Sequence, residues 1–301
     1  VNTEENNRVI DQFAKRNGLY VNTTFEAHFE EDSAVTITYV TNPADGSMGT
    51  VSRSSERLAP VTGNAQGSVA AAKADEGYRF VNWTDAAGNV VSENPAFTPE
   101  KVDGLNKEAT YTANFDKRND LSYEVHYWYD DVEDEDRKVE VTGTAVFDAD
   151  IDYHPEYTEF RGENYVFEGI HGPVKVGVGS NVLNVYFAKD EIGTRPGEPD
   201  RPDDIPDKYQ ITFRYRSAGN GSVAGTLREV HTVYEDVHQD PATGRFVAGK
   251  ENPAKPNAAV TVTPAKDYAF DFWTADTVEG QDQDEKLADF ANRTYMDSTV
   301  F

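Results

Sequence analysis

The chain has 301 residues, with 28 Lys and Arg against 54 Asp and Glu, for a formal net charge of −26 at pH 7. That balance argues against nucleic acid, whose backbone is bound by cations that release its counterions, and against adhesion to an anionic lipid surface. Aromatics are plentiful (16 Tyr, 16 Phe, 3 Trp), enough for packed cores, and cysteine is absent, which removes disulfides, thiol nucleophiles and Cys-based metal sites. No run of about 18 apolar residues occurs, so no membrane span is expected. Neither end reads as a signal peptide. Lack of cysteine fits a cytosolic protein and a disulfide-free surface protein equally. Length alone suggests two domains of roughly 150 residues, or several smaller repeats.

Taken in order, Asn7–Lys15 places Val9, Ile10 and Phe13 on one face of a short amphipathic helix. Thr24–Phe29 (TFEAHF) reads as a strand and matches a later segment, Thr110–Phe115 (TYTANF). VTITYVTNPADGSMGTVS (35–52) parallels YQITFRYRSAGNGSVAG (209–225). GYRFVNWT (77–84) recurs as DYAFDFWT (267–274), each after a small Val-bearing strand. Between the copies, Leu121–Tyr129 alternates, with Tyr123, Val125, Tyr127 and Tyr129 on one face. Val139–Val146, Tyr165–Ile170 and Val182–Phe187 read as further strands of that unit. Asp190–Lys208 carries Pro196, Pro199, Pro202 and Pro206 among charges and reads as an extended spacer. Asp284–Asn292 has a second helical pattern, through Leu287 and Phe290, just ahead of a closing STVF. The expected organisation is a leftover tail (1–32), a complete repeat (33–118), a different unit (119–189), the spacer (190–208), and a second repeat with an insertion at Thr226–Pro256 (209–301). The whole reads as mostly antiparallel β with one short helix per repeat, cut from a longer array.

Gly67–Val69, Gly77–Asp85, Glu93–Pro99 and Ala109–Phe115 together form a pattern that resembles the internalin B-repeat, or Listeria–Bacteroides repeat. The last module follows it with two departures: Asp267 stands where the motif has Gly, and the insertion separates its early strands. The middle unit, through SYEVHYWYDD (122–131) and GPVKVGVGSNVLNVYFAKDE (172–191), resembles a MucBP-like repeat. These resemblances imply tandem β-grasp-like modules, mostly β or α+β in class and elongated in arrangement. They imply a Gram-positive cell-surface adhesin, or the stalk that holds one away from the wall. No LPxTG-type motif is present, so anchoring would depend on sequence beyond this chain.

Among chemistry-bearing strings, Asp148, Asp150 and Asp152 with Glu159 resemble a calcium-loop spacing. Tyr153 stands where that loop needs Gly, and Pro155 follows, so acidic decoration of an edge strand is the expected role. The run from Asp130 to Asp136 reads as a solvated hairpin loop. Trp83 and Trp273, at matched places in two repeats, read as core. Trp128 differs, because alternation sets it beside Glu124 and His126, opposite the Tyr/Val face. It is the single ligand-binding candidate, able to stack on a sugar or to pack against a neighbouring module. The six histidines are scattered without ligand spacing, and no nucleophile elbow, P-loop or dinucleotide fingerprint occurs. Asn-x-Ser/Thr sequons, as at Asn82 and Asn220, read as chance on a bacterial protein. A Lys–Asn or Lys–Asp crosslink beside a buried acid is compatible with the Cys-free composition, without a position that the sequence singles out. No catalytic residue, metal ligand or cofactor is nominated. The expected function is a non-enzymatic surface repeat segment, with a host glycan, a surface protein or neighbouring repeats as partners. The alternatives are a glycan- or mucin-binding module and accessory repeats of a secreted carbohydrate enzyme.

Overall fold

The structure, a computed structural model, describes residues 8, 12, 14–193, 201–277 and 290–301. The chain divides into two compact units, Val1–Lys73 with Arg79–Asp116, and Ala74–Tyr78 with Lys117–Phe301. In the expected N-terminal helix, Arg8, Gln12 and Ala14 are helical, and residues 7, 9–11 and 13 lie outside the described set. A small hairpin follows, β1 (Lys15–Arg16) with β2 (Leu19–Tyr20). Thr24–Phe29 is not in a strand, and Phe25 and Phe29 are 51% and 93% exposed.

The first complete module contains β3 (Val35–Asn42), β4 (Gly49–Val51), β5 (Ser55–Leu58), β6 (Ser68–Ala72), β7 (Tyr78–Thr84), β8 (Val90–Ser92), β9 (Ala96–Phe97) and β10 (Ala109–Lys117). One sheet has the order β5-β3-β10-β7-β8 and a second the order β4-β6-β9. Alternation in VTITYVTN turns Ile37 and Tyr39 inward, where they meet Trp83, Ala113 and Phe115. Phe97 and Tyr111 close over this core edge to face, with centroids 4.9 Å apart. The first and last long strands, β3 and β10, run parallel over six residue pairs.

The middle module repeats that plan. Its strands are β11 (Leu121–Tyr129), β12 (Val132–Glu133), β13 (Val139–Ala145), β14 (Glu159–Phe160), β15 (Glu163–His171) and β16 (Val182–Lys189). The order is β12-β11-β16-β15-β14, with β13 also on β11. Again the first and last strands, β11 and β16, are parallel over six pairs. Val125, Tyr127, Tyr129, Leu183, Val185 and Phe187 are all buried in one core, and Tyr129 stacks on Phe187 at 4.8 Å. The expected acidic loop is tighter than its composition suggests. Asp130 and Asp131, with φ of 44° and 65°, form a two-residue turn that pairs β12 back onto β11.

The last module carries β17 (Gln210–Arg214), β18 (Gly221–Gly225), β19 (Arg228–Thr232), β20 (His238–Gln239), β21 (Phe246–Val247), β22 (Val260–Pro264), β23 (Asp276–Thr277) and β24 (Thr299–Val300). The order β19-β17-β24-β23 puts the first and last strands parallel once more, here over two pairs. Phe213, Tyr215, Phe290 and Phe301 form its core. The insertion makes the β20–β21 hairpin, which docks on the middle module within the same compact unit. Gln239 Nε2 donates to Phe167 O at 3.1 Å, and the Arg245 guanidinium lies 5.3 Å from the Tyr186 ring.

Three sequence expectations change. The sheets are mixed, because first and last strands are joined by long connections and so can pair parallel. The first and middle modules hold no α-helix, only the 3-10 turn Ala74–Glu76; in the first, Pro95, Pro99 and Gly104 interrupt the region ahead of its closing strand. In the last module the expected helix at Asp284–Asn292 lies outside the described residues up to 289, and Phe290–Asn292 is a 3-10 turn. The spacer doubles back where described. Buried Asp190 accepts the N–H groups of Asp203 and Asp204 at 3.2 and 2.9 Å, and Asp207 Oδ1 accepts those of Glu191 and Ile192. Pro196 and Pro199 lie outside the described residues.

Candidate functional site

The outer face of β11 carries the residue nominated from sequence. Period-two alternation leaves Glu124, His126 and Trp128 half-buried opposite the core side chains. The Trp128 indole N–H donates to Asn184 Oδ1 at 2.8 Å, from the adjacent strand β16. His126 bridges two carboxylates, Nε2 to Glu124 Oε2 at 2.9 Å and Nδ1 to Glu133. Burial pulls the His126 imidazole down, but its bonds to Glu124 and Glu133 outweigh that and raise it above the ordinary histidine range. Lys138 lies 2.7 Å from Glu140 and 4.0 Å from Glu124, adding a cation at the edge. The result is a polar patch that carries Trp128, whose N–H is already engaged, with Tyr186 as its register partner on β16.

The acidic strings do not converge. Asp148 pairs with Lys117 at 2.9 Å and with Lys175 at 3.4 Å, Asp150 pairs with Lys175, and Ile151, between Asp150 and Asp152, is core. Residues 148–152 form a loop with one bridge, Asp150 to Lys175, where an edge strand was expected. In the acidic run Asp134 turns inward, accepting Asp136 N–H and pairing with Arg137. Among the described residues no group of three His, Asp or Glu is placed to hold a metal ion. Trp83 is fully buried, its N–H donating to Pro95 O at 3.0 Å, while Trp273 is half-buried against Tyr215 and Phe290.

Sequence reasoning misses a feature built twice. Tyr39 Oη donates to Glu56 Oε1 at 2.6 Å, and Glu56 also accepts Gln66 and Gly67 N–H at 2.9 and 3.2 Å. In the last module Tyr215 Oη donates to Glu229 Oε1 at 2.7 Å, and Glu229 accepts Asn257 and Ala258 N–H at 2.7 and 3.0 Å. Each glutamate comes from the second strand of its sheet and fastens a distant loop to the first. The available signal is the match of Tyr39 to Tyr215 within the first-strand repeat, each followed by a glutamate on the next strand of that sheet.

Residues 35–119 match the family model of the divergent InlB B-repeat domain. That span begins at the first residue of β3 and ends two residues past β10. No curated protein matches the chain. The matched family suggests a bacterial surface repeat protein, on the extracellular side. No described helix is long and apolar enough to cross a membrane.

Proposed function

We propose that the chain is a non-enzymatic repeat segment of a bacterial cell-surface protein, serving as the stalk of an adhesive array. The observation that carries this reading is the parallel pairing of first and last strands in all three modules. The polypeptide enters each module on one strand and leaves on its neighbour. Tension along the chain therefore slides those strands past each other and loads the whole ladder in shear, instead of opening hydrogen bonds singly. All three modules share the order second-first-last within the main sheet, which supports a β-grasp-like reading of the middle unit, read as MucBP-like, alongside the B-repeat module. Acidic surface keeps such an array soluble. Small-angle scattering tests the extended arrangement. A single 301-residue globule has a radius of gyration of about 19 Å. Modules in a row exceed that appreciably, and a value at 19 Å contradicts the stalk.

A further inference from the structure

The outer face of the middle module sets a histidine between two carboxylates from different strands. His126, its side chain 14% exposed, lies near the centre of β11 and opposes the neutral Asn184 of β16. Its Nε2 meets Glu124 Oε2 at 2.9 Å and its Nδ1 meets Glu133. Glu124 shares β11, whereas Glu133 comes from β12, the short strand after the Asp130–Asp131 turn. A neutral imidazole has one N–H and one lone pair, and ionised carboxylates only accept. Both glutamates are therefore satisfied only by the doubly protonated ring. Around them lie Lys138, 4.0 Å from Glu124 and 2.7 Å from Glu140, and Glu140 itself, on β13. Glu135 acts on Lys138 from the acidic loop. Carboxylates outnumber ammonium groups around the ring, a balance that favours the imidazolium.

We propose that His126 is a proton-operated latch, which pins β12 to β11 as the imidazolium and releases it as the neutral ring. β11 is fixed by six pairs to β16, while β12 holds to β11 over two, so β12 is the element that moves. When the ring loses its proton, one carboxylate faces a lone pair, and Glu124 and Glu133 lose the cation between them. The Glu133 side chain, 20% exposed, is then a half-buried charge deprived of its partner. Its return to water draws β12 off the sheet, and Trp128, the register partner of Glu133, gains exposure. Asp134 N–H on Tyr127 O and Arg137 on Tyr129 Oη keep the far end attached, so the strand hinges while the module stays folded. Burial lowers the His126 imidazole, but the bonds to both glutamates outweigh it and raise it above the ordinary range. A histidine whose folded pKa exceeds its unfolded one, about 6.5, adds stability that is fully present below that value. It is lost as pH rises through the folded value, so the latch is closed in acid and opens on the alkaline side. The device is confined to the middle module and is independent of the stalk reading.

NMR titration of the full chain tests the latch. His126 should titrate above about pH 6.5, with both ring nitrogens protonated below the midpoint. Glu124→Gln and Glu133→Gln should each weaken its proton affinity at least threefold. In the unsubstituted chain, amide protection across 130–134, corrected for the intrinsic pH dependence of exchange, should fall at least fivefold through that midpoint. The Trp128 indole signal should shift with it, and Glu133→Gln should abolish the step. Protection that stays constant through the His126 titration overturns the proposal, as does a midpoint at or below about 6.5. Proton affinity unchanged by both substitutions overturns it as well.

Discussion

Glu56 and Glu229 show how a single buried carboxylate can hold a β module closed. Burial pushes each carboxyl up, but the tyrosine hydroxyl and two backbone N–H groups bind its charged form, and together they hold it below the ordinary glutamate range. A carboxyl whose folded pKa lies below its unfolded one adds stability above the unfolded value, about 4.3. That contribution is lost as pH falls through the folded value. Urea unfolding followed by fluorescence should therefore show stability falling below about pH 4.3, and Glu56→Gln should flatten that fall in its module. Tyr39→Phe should cost about 1–2 kcal/mol at pH 7, since it removes one of three donors from a buried anion. A second residue explains a departure from the repeat motif. Gly77 has φ of +95°, and a Cβ there would lie 2.4 Å from the Phe147 ring. Asp267, its counterpart, also has positive φ, 69°, a region that Asp tolerates better than most side chains. Gly77→Ala should thus destabilise by about 1–3 kcal/mol in chemical denaturation, through overpacking and backbone strain together.

At the scale of elements, the insertion hairpin joins two modules by close backbone approach. Gly169 of β15 has φ of +105°, and a Cβ there would lie 2.7 Å from Thr243 O. Gly169→Val should unseat the β20–β21 hairpin and raise proteolytic cleavage within 240–245 several-fold; unchanged cleavage would show that the hairpin does not depend on this contact. Much at this scale is legible in the sequence. Leu121–Tyr129 reads correctly because a strand with one buried face must alternate. Elsewhere local pattern loses to pairing. The motif at 267–274 looks like β7, but it forms no strand beyond a bridge at Trp273. The insertion is visible as extra length, whereas its docking is not, because Gln239 meets Phe167 72 positions away. The Tyr–Glu clips are hidden for the same reason: nothing local distinguishes Glu56 or Glu229 from surface glutamates. Among candidate site residues, the side of β11 that carries Trp128 is readable, but its bond to Asn184 is not.

At the scale of the whole molecule, net charge and repetition belong to one account: small aromatic cores, each under an acidic surface, strung so that tension runs through parallel strand pairs. The ladders of the first and middle modules are equal in length, six pairs each. Resistance to pulling is set by the unfolding barrier, and equal shear ladders offer similar ones. Single-molecule stretching of the 301-residue chain from its two ends tests this most directly. The account predicts two distinct ruptures of similar force from these modules, one releasing about 30 nm of chain at full extension and one about 25 nm. Gradual yielding without distinct peaks would contradict it.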